Sequence, residues 1–270
     1  MSWARVMAPL AGAEGDAAVL SAAVKAASPF DAEVAAVFAP ADVADIMPWL
    51  GEGYLGGVQT TAIETLRQAA ATGEARSRAA YQACDYAKKT FVALQSPVWA
   101  ALSAEARLSD LVIFGDDPAR GRGPLAECFQ QIVADEQRPV LIARKGFEPG
   151  GVVAVAWDGG KEASRAARLA LPLLEKASRV VLLAAPRATS RHFEPARLQA
   201  YYAARGVQAE IEVLGDKGEA AGLLLAAVKR VGANLLVAGA FGHPRLQEFI
   251  FGGTTRSLLA AEAPSLFLSH

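Results

Sequence analysis

Residues 233–242 read ANLLVAGAFG and residues 252–256 read GGTTR, and these two stretches decide the fold class. The first is an apolar run that ends in Gly239 and continues to Gly242, which is typical of a buried strand leading into a loop. The second places two glycines directly before a helical pattern, so a helix is predicted to begin near Thr254. A strand, a glycine-containing loop and a helix in this order predict one unit of an open α/β sheet.

The rest of the second half alternates between apolar strands and helices in the same way. Because parallel strands need a long crossover, usually a helix, the alternation predicts a doubly wound parallel sheet. The predicted strands are Val152–Trp157, Arg179–Ala184, Val207–Leu214, Asn234–Ala238 and Pro264–Leu268. The predicted helices are Glu162–Leu174, Pro195–Ala204, Glu219–Val231 and Thr254–Ala261. Asp216 and Glu219 fit the spacing of a capping box at the start of the third of these helices.

The first half of the chain repeats this order of elements. Its predicted strands are Arg5–Leu10, Ala32–Ala39, Thr90–Leu94, Leu111–Phe114 and Val140–Ala143. Its predicted helices are Asp16–Ala27, Thr61–Lys88, Trp99–Ala106 and Leu125–Ala134, with a long loop at Asp42–Gly57. Residues 5–12 align with residues 152–159. We therefore predict two tandem doubly wound domains, residues 1–147 and 148–270, which meet at a segment rich in Gly and Pro.

The glycines and threonines around residues 239–256 form a candidate anion site. Ligands of open α/β sheets bind beyond the carboxyl ends of the strands, where Gly239 is expected. Glycine turns expose backbone N–H groups to phosphate, and a helix beginning near Thr254 adds unpaired N–H groups and the positive end of its dipole. The residues predicted to contact phosphate are Gly239, Gly242, Gly252, Gly253, Thr254 and Thr255, with Arg256 as a further cation.

Asp158 ends the first strand of the second half, so it is predicted to lie at the same sheet edge. A carboxylate at this position can accept hydrogen bonds from the ribose hydroxyls of a nucleotide. Asp158-Gly159 also fits a strand-to-helix turn in which the aspartate caps the helix. The spacing alone favours the cap, whereas the spacing combined with the glycine pattern favours the ligand.

This pattern resembles that of the universal stress proteins. Members of that family carry G-x2-G-x9-G-(S/T) after the fourth strand and an aspartate at the end of the first. This sequence has Gly239, Gly242 and Gly252 at those spacings, together with Asp158. The paired repeats are similar to the tandem members of the family, so the resemblance extends over essentially the whole chain.

The resemblance implies an adenine nucleotide α-hydrolase-like fold that binds ATP or AMP, with or without Mg²⁺, in its C-terminal half. The motif glycines and the following hydroxyl would hold the phosphates, and Asp158 would contact the nucleoside. One departure is Gly253, which occupies the Ser/Thr position and moves the hydroxyl to Thr254. The resemblance also implies that Val140–Ala143 and Ser265–Leu268 pair within the chain, as an internal pseudo-dimer.

Two hypotheses about function follow. The first is a stress-response sensor or regulator whose nucleotide-bound form presents a different surface to a protein partner. The alternative, favoured by Gly253, is a nucleotide-free scaffold in which both halves serve oligomerisation, including a homodimer. No general base or nucleophile is placed beside the expected phosphates, so efficient catalysis is not predicted. Slow ATP hydrolysis or self-phosphorylation at Thr254 or Thr255 stays open.

The first half lacks the nucleotide pattern. Ala11 occupies the aspartate position, and Pro118 replaces the second motif glycine. Asp116 and Asp117 fall where phosphates would bind and would repel them. We therefore predict that the first half binds no nucleotide and serves as the structural partner of the second.

The composition of the 270-residue chain argues against several function classes. Hydrophobic residues make up 53% and charged residues 20%, as in a globular protein with a sizeable core. Lys and Arg number 27 against 28 Asp and Glu, so no basic excess indicates nucleic acid or an anionic membrane surface. Cys84 and Cys128 lack the spacing of a zinc site or a disulfide framework. With no signal-peptide pattern and no long apolar run, we expect a cytoplasmic protein.

Overall fold

The computed structural model describes two compact units of the chain. The N-terminal unit is Ala4–Phe129, and the C-terminal unit consists of Met1–Trp3 and Gln130–His270. The described residues are 2–41, 56–95, 97–185, 194–240, 253–260 and 262–270, without the side chains of residues 56–60 and 62.

The N-terminal unit contains a parallel sheet. Its strands are β1 (Arg5–Leu10), β2 (Glu33–Phe38), β3 (Lys89–Ala93) and β4 (Leu111–Phe114). They lie in the order β3-β2-β1-β4, and each neighbouring pair is parallel. The helices are α1 (Asp16–Ala27), α2 (Gly56–Ala83), α3 (Val98–Arg107) and α4 (Asp116–Ala119), and α5 (Ala126–Ala134) contains the unit boundary.

The described residues of the C-terminal unit contain six strands. Its strands are β5 (Val140–Ile142), β6 (Val152–Trp157), β7 (Arg179–Ala184), β8 (Ala209–Val213), β9 (Leu235–Gly239) and β10 (Ser265–Ser269). Its helices are α6 (Lys161–Leu169), α7 (Leu171–Leu174), α8 (Pro195–Ala203), α9 (Ala220–Val231) and α10 (Gly253–Ala260). The strand order is β5-β10-β9-β6-β7-β8. β5 pairs antiparallel with β10, with Leu141 opposite Phe267, and the remaining pairs are parallel.

These sheets confirm the predicted fold class, including the pairing of the last strand of each half. Four strands have the predicted bounds: Arg5–Leu10, Leu111–Phe114, Val152–Trp157 and Arg179–Ala184. Apart from the arginines that begin two of them, they are short continuous apolar runs, as expected of parallel strands that helices cover on both faces. Among the described residues, no helix is long and apolar enough to cross a membrane.

The edge strand β8 differs from these buried strands because its sequence, AEIEV, alternates between polar and apolar residues. Ile211 and Val213 are 36% and 53% exposed. Glu210 accepts two hydrogen bonds from the Arg179 guanidinium of β7, at 2.9 and 2.6 Å. These hydrogen bonds lower the pKa of the Glu210 carboxyl below its ordinary value.

Helix α2 begins and ends earlier than predicted, at Gly56 and Ala83. The end is set by Lys89, the first residue of β3. Its ammonium group donates to the carbonyl of Tyr81 at 2.8 Å and to the carbonyl of Cys84. A cation at this place binds carbonyls that have no partner within the helix. The helix therefore ends at Ala83, although the helical pattern of the sequence continues to Lys88.

Two predictions about helices of the C-terminal unit are wrong. The helix predicted at Glu162–Leu174 is divided at Ala170 into α6 and α7, because Pro172 has no N–H group to continue the hydrogen-bond ladder. The predicted capping box is not formed, since Glu219 is itself the N-cap of α9 and makes no side-chain cap hydrogen bond. Asp216 therefore lies outside the helix that it was expected to cap.

Candidate functional site

Asp158 and Gly239 are brought together at one edge of the C-terminal sheet. Their strands β6 and β9 are parallel neighbours, and Val155 pairs with Val237. Two residues further along each strand, Trp157 comes level with Gly239, and Asp158 follows directly. This is the carboxyl edge of the sheet, where ligands of open α/β folds bind.

Asp158 is exposed and forms a local turn. Its Oδ1 accepts a hydrogen bond from the N–H group of Gly160 at 2.8 Å. Gly159 between them has a φ of +78°, which favours glycine. The N-cap of α6 is Gly160, so Asp158 does not cap the helix as one interpretation of the sequence expected. The carboxylate holds the turn through Oδ1 and lies at the surface.

Gly239 has a packing role that the sequence did not reveal. A Cβ atom at this position would lie 2.5 Å from the Ala163 nitrogen and 2.6 Å from the Glu162 carbonyl carbon. These are backbone atoms of the first turn of α6, which cannot move aside as a flexible side chain could. A glycine is therefore required here to let α6 approach the end of β9, whether or not a ligand binds.

Helix α10 carries the remaining described members of the predicted site. It crosses between the parallel strands β9 and β10, so it begins at the carboxyl edge of the sheet. Gly253, its first residue, is exposed, and nothing described lies within 4 Å of the place a Cβ would take. Thr254 is exposed as well, whereas Thr255 is 8% exposed. Of the two predicted hydroxyls, Thr254 is therefore the one accessible to a ligand. Gly242 and Gly252 lie outside the described residues.

Two cations stand in the first turns of the helices that begin at this edge. Lys161, the first residue of α6, has a side chain that is 79% exposed and lies 3.3 Å from the carboxylate of Glu162. Arg256 of α10 is exposed. The N-terminus of a helix is the positive end of its dipole, so a cation there is unfavourable unless an anion lies beside the cation. Sequence reasoning missed Lys161, although its place directly after Asp-Gly-Gly could have indicated it.

The corresponding turn of the N-terminal unit is filled by the side chains of the chain itself. Asp16 of α1 accepts hydrogen bonds from the N–H groups of Ala11 and Gly12, at 3.1 and 3.0 Å. Ser77 of α2 donates to the same carboxylate at 2.6 Å. Asp16 is 5% exposed and Ser77 is fully buried. An internal carboxylate thus binds the backbone donors that an anionic ligand would need.

Helix α2 lies directly on this turn. Gly12 has a φ of +74°, and a Cβ there would be 2.3 Å from the Cα of Gly73, so the two backbones are in contact. A cavity of about 500 Å³ lies beside this contact, with Thr65, Thr72 and Arg76 among its lining residues. This cavity belongs to the N-terminal unit, so it is not the predicted nucleotide site. Residues 241–252 lie outside the described residues.

The two aspartates after β4 have arginine partners. Asp116 forms an ion pair with Arg120 at 2.5 Å, and Asp117 forms one with Arg122 at 2.5 Å. The repulsion of phosphate predicted for these carboxylates is therefore largely neutralised. In the turn after β1, by contrast, the backbone donors are already bound to Asp16. In the part of the chain that the structure describes, no group of three or more His, Cys, Asp or Glu side chains could hold a metal ion.

Comparison with known proteins gives a match at the level of the fold. No family model and no curated protein match the sequence. A universal stress protein from Archaeoglobus fulgidus DSM 4304 is 15% identical, with 98% of this chain and 95% of that chain covered and a TM-score of 0.60. A functionally unknown protein from Pseudomonas aeruginosa PAO1 is 16% identical, with 99% and 92% covered and a TM-score of 0.55.

These similarities extend over nearly the whole of each chain. They therefore place this protein in the class of tandem α/β proteins with a doubly wound fold. The particular fold is that of the universal stress proteins, as the motif resemblance predicted. At these identities the likeness concerns the fold, and the function must be argued from the site.

Proposed function

We propose that this chain is a stress-response protein of the universal stress protein kind, which binds an adenine nucleotide, ATP or AMP, at the carboxyl edge of its C-terminal sheet. The observation that carries the proposal is that an exposed carboxylate, Asp158, and an exposed helix N-terminus, Gly253–Thr254, belong to the same sheet edge. These two groups complement the two ends of a nucleotide, since ribose offers hydroxyl donors and the phosphates are anions.

The phosphates would bind at the first turn of α10. The N–H groups of a first helical turn have no partner within the helix and point toward a ligand. No described atom lies within 4 Å of the place that a Gly253 Cβ would take, which leaves room for a phosphate oxygen to approach the backbone, and the Thr254 hydroxyl adds a donor. Lys161 and Arg256 supply positive charge at the same edge. Mg²⁺ would be carried mainly by phosphate oxygens and water, as is usual for this ion.

The ribose would bind at Asp158. Its Oδ1 already accepts the Gly160 N–H, and a carboxylate has lone pairs for further donors, so ribose hydroxyls can bind without breaking the turn. A hydrogen bond to a charged group contributes about 1.5–3 kcal/mol. Loss of the Asp158 carboxylate should therefore weaken nucleotide binding by about tenfold to a hundredfold.

A binding protein of this kind acts by presenting a different surface when the nucleotide is bound. A regulatory role in a stress response, through an unidentified protein partner or a homodimer, is supported by the fold shared with a universal stress protein. Cys84 and Cys128 form no disulfide, which is consistent with the proposed cytoplasmic location. Slow phosphoryl transfer to Thr254 is an extension of the same site and requires no additional catalytic pair.

The test is the affinity of the full chain for a fluorescent ATP analogue with Mg²⁺, measured by anisotropy. Asp158→Ala should weaken binding by about tenfold or more. Asp158→Asn keeps an oxygen that can accept the Gly160 N–H but removes the negative charge. This variant therefore distinguishes the effect of the charge on binding from the effect of the turn. Glu175→Ala, which removes an exposed carboxylate at the other edge, is the matched control and should bind normally.

Gly253→Ser makes the proposal more specific. It restores the hydroxyl of the family pattern at a position where no described atom would meet the added Cβ, so we expect affinity to rise severalfold. If neither this change nor Asp158→Ala alters binding, the nucleotide does not occupy this edge. If the wild-type chain binds no nucleotide, the nucleotide-free scaffold becomes the better account, with Gly253 and the packing role of Gly239 as its support.

A further inference from the structure

We propose that Arg144 is the positioning residue of the nucleotide site, because it holds the far end of the helix whose first turn would bind the phosphates. The inference rests on the proposed function and names a residue that controls the same site without touching the ligand. Sequence reasoning gave Arg144 no role.

The guanidinium group of Arg144 binds the carboxyl end of α10. It donates to the carbonyl of Leu259 at 2.8 Å and to that of Leu258 at 3.5 Å. It also donates to the carbonyls of Ala263 and Pro264, at 3.3 and 3.4 Å, in the turn that leads to β10. The last carbonyls of a helix have no partner within the helix, and a cation is favoured beside them.

The backbone of Arg144 is fixed as well. It follows β5, which is paired with β10, and its N–H group donates to the Oγ of Ser265 at 3.0 Å. Ser265 is the fully buried first residue of β10. The guanidinium is therefore held in a constant place relative to the sheet, and it transfers that placement to α10.

Helix α10 is short enough for its two ends to move together. It has eight residues, which corresponds to a length of about 12 Å. Leu258 and Leu259 pack its inner face, and the Ser257 hydroxyl lies 3.3 Å from a carboxylate oxygen of Glu219. A short helix that is released at its carboxyl end can tilt or fray, and the first turn at Gly253 would then lose its fixed position.

Arg144 and α10 both belong to the C-terminal unit, although they lie on opposite sides of the predicted domain boundary. Arg144 lies within residues 1–147, the predicted first domain, whereas the helix that it holds lies in the second. The segment that contains β5 would then contribute a clamp on α10 to nucleotide binding, in addition to the strand pairing between β5 and β10.

The experiment uses the full chain with Arg144→Gln and Arg144→Lys. The matched control is Arg179→Gln, which removes an arginine from the ion pair with Glu210 at the start of β7. Amide hydrogen exchange without nucleotide should rise about tenfold in peptides covering residues 253–264 of Arg144→Gln, with α6 and α9 unchanged. The dissociation constant for ATP with Mg²⁺ should rise about tenfold, with the stoichiometry unchanged.

Arg144→Lys separates a positioning role from a general loss of charge. A lysine keeps the cation near the helix end but cannot bind several carbonyls with a planar fork, so both effects should be intermediate. Exchange and affinity as in the wild type would overturn the inference, and so would faster exchange in α10 with unchanged affinity. A wild-type chain that binds no ATP contradicts the proposed function itself. Wild-type binding with normal Arg144→Gln binding contradicts only the role of Arg144.

Discussion

Replacing Gly239 with alanine should destabilise the C-terminal unit, because the added methyl group has no room. Its Cβ would lie 2.5 Å from the Ala163 nitrogen, 2.6 Å from the Glu162 carbonyl carbon and 2.8 Å from the Glu162 Cβ. All three distances are shorter than any normal contact of a carbon atom. The end of β9 and the first turn of α6 would have to move apart to accept the substitution.

The size of the effect follows from these contacts. Overpacking a close-packed interior destabilises a protein by about 1–3 kcal/mol. Because Gly239 faces backbone atoms, which cannot change rotamer, we expect a value near the upper end, about 3 kcal/mol. In a chain of this size 1 kcal/mol corresponds to about 2–4 °C, so the thermal midpoint should fall by about 6–12 °C.

Thermal unfolding followed by circular dichroism measures this shift without any ligand. Gly222→Ala is the control, since it adds the same methyl group inside α9, where no described atom outside the helix backbone lies within 4 Å. It should leave the midpoint unchanged or raise it slightly, because alanine favours a helix more than glycine does. A Gly239→Ala variant that unfolds at the wild-type temperature would refute the argument that packing requires this glycine.

Further predictions concern the filled turn of the N-terminal unit and one edge ion pair. Gly12 and Gly121 both have a φ of +74°, but only Gly12 faces another backbone, so Gly12→Ala should lower the thermal midpoint far more than Gly121→Ala. Asp16→Ala removes the carboxylate that accepts from the Ala11 N–H and the Ser77 hydroxyl, and it leaves the Gly12 N–H with Ser77 alone, so stability to urea should fall by about 1–3 kcal/mol. The pKa of Glu210 is lowered by Arg179, so this carboxylate stabilises the fold above its unfolded pKa of about 4.3. That contribution is lost as the pH falls through the lower folded value, so urea stability should fall more between pH 7 and pH 3 in the wild type than in Glu210→Gln.

Each of these predictions has an outcome that contradicts it. Equal midpoints for Gly12→Ala and Gly121→Ala would mean that α2 does not lie on the turn. Wild-type stability of Asp16→Ala would mean that its hydrogen bonds contribute nothing net. Parallel pH profiles for the wild type and Glu210→Gln would mean that the ion pair with Arg179 is not formed in solution.

The strands were predictable because each is a local feature of the sequence. Short continuous apolar runs such as Val152–Trp157 are typical of parallel strands that are buried on both faces, and the bounds of this strand were predicted from its run. Helix ends were less predictable because tertiary contacts set them. The Lys89 ammonium ends α2, and Pro172 divides a helix that the apolar pattern continued through.

The site was predictable only in part for a similar reason. The sequence placed Asp158 and Gly239 at one edge, but it could not show that Gly239 is required by the close approach of α6. The bond between Ser77 and Asp16 joins residues 61 positions apart, and the contact of Arg144 with Leu259 spans 115. Local patterns contain no signal for contacts of such separation, which depend on how complete elements pack.

The central claim is that the chain has a nucleotide site in its C-terminal unit, whereas the equivalent turn of the N-terminal unit is filled. Calorimetric titration of ATP with Mg²⁺ into the wild-type chain tests this most directly. We predict a single binding event with one nucleotide per chain. Two nucleotides per chain would contradict the filled turn at Asp16 and Ser77, and no binding by a folded chain would contradict the nucleotide site itself.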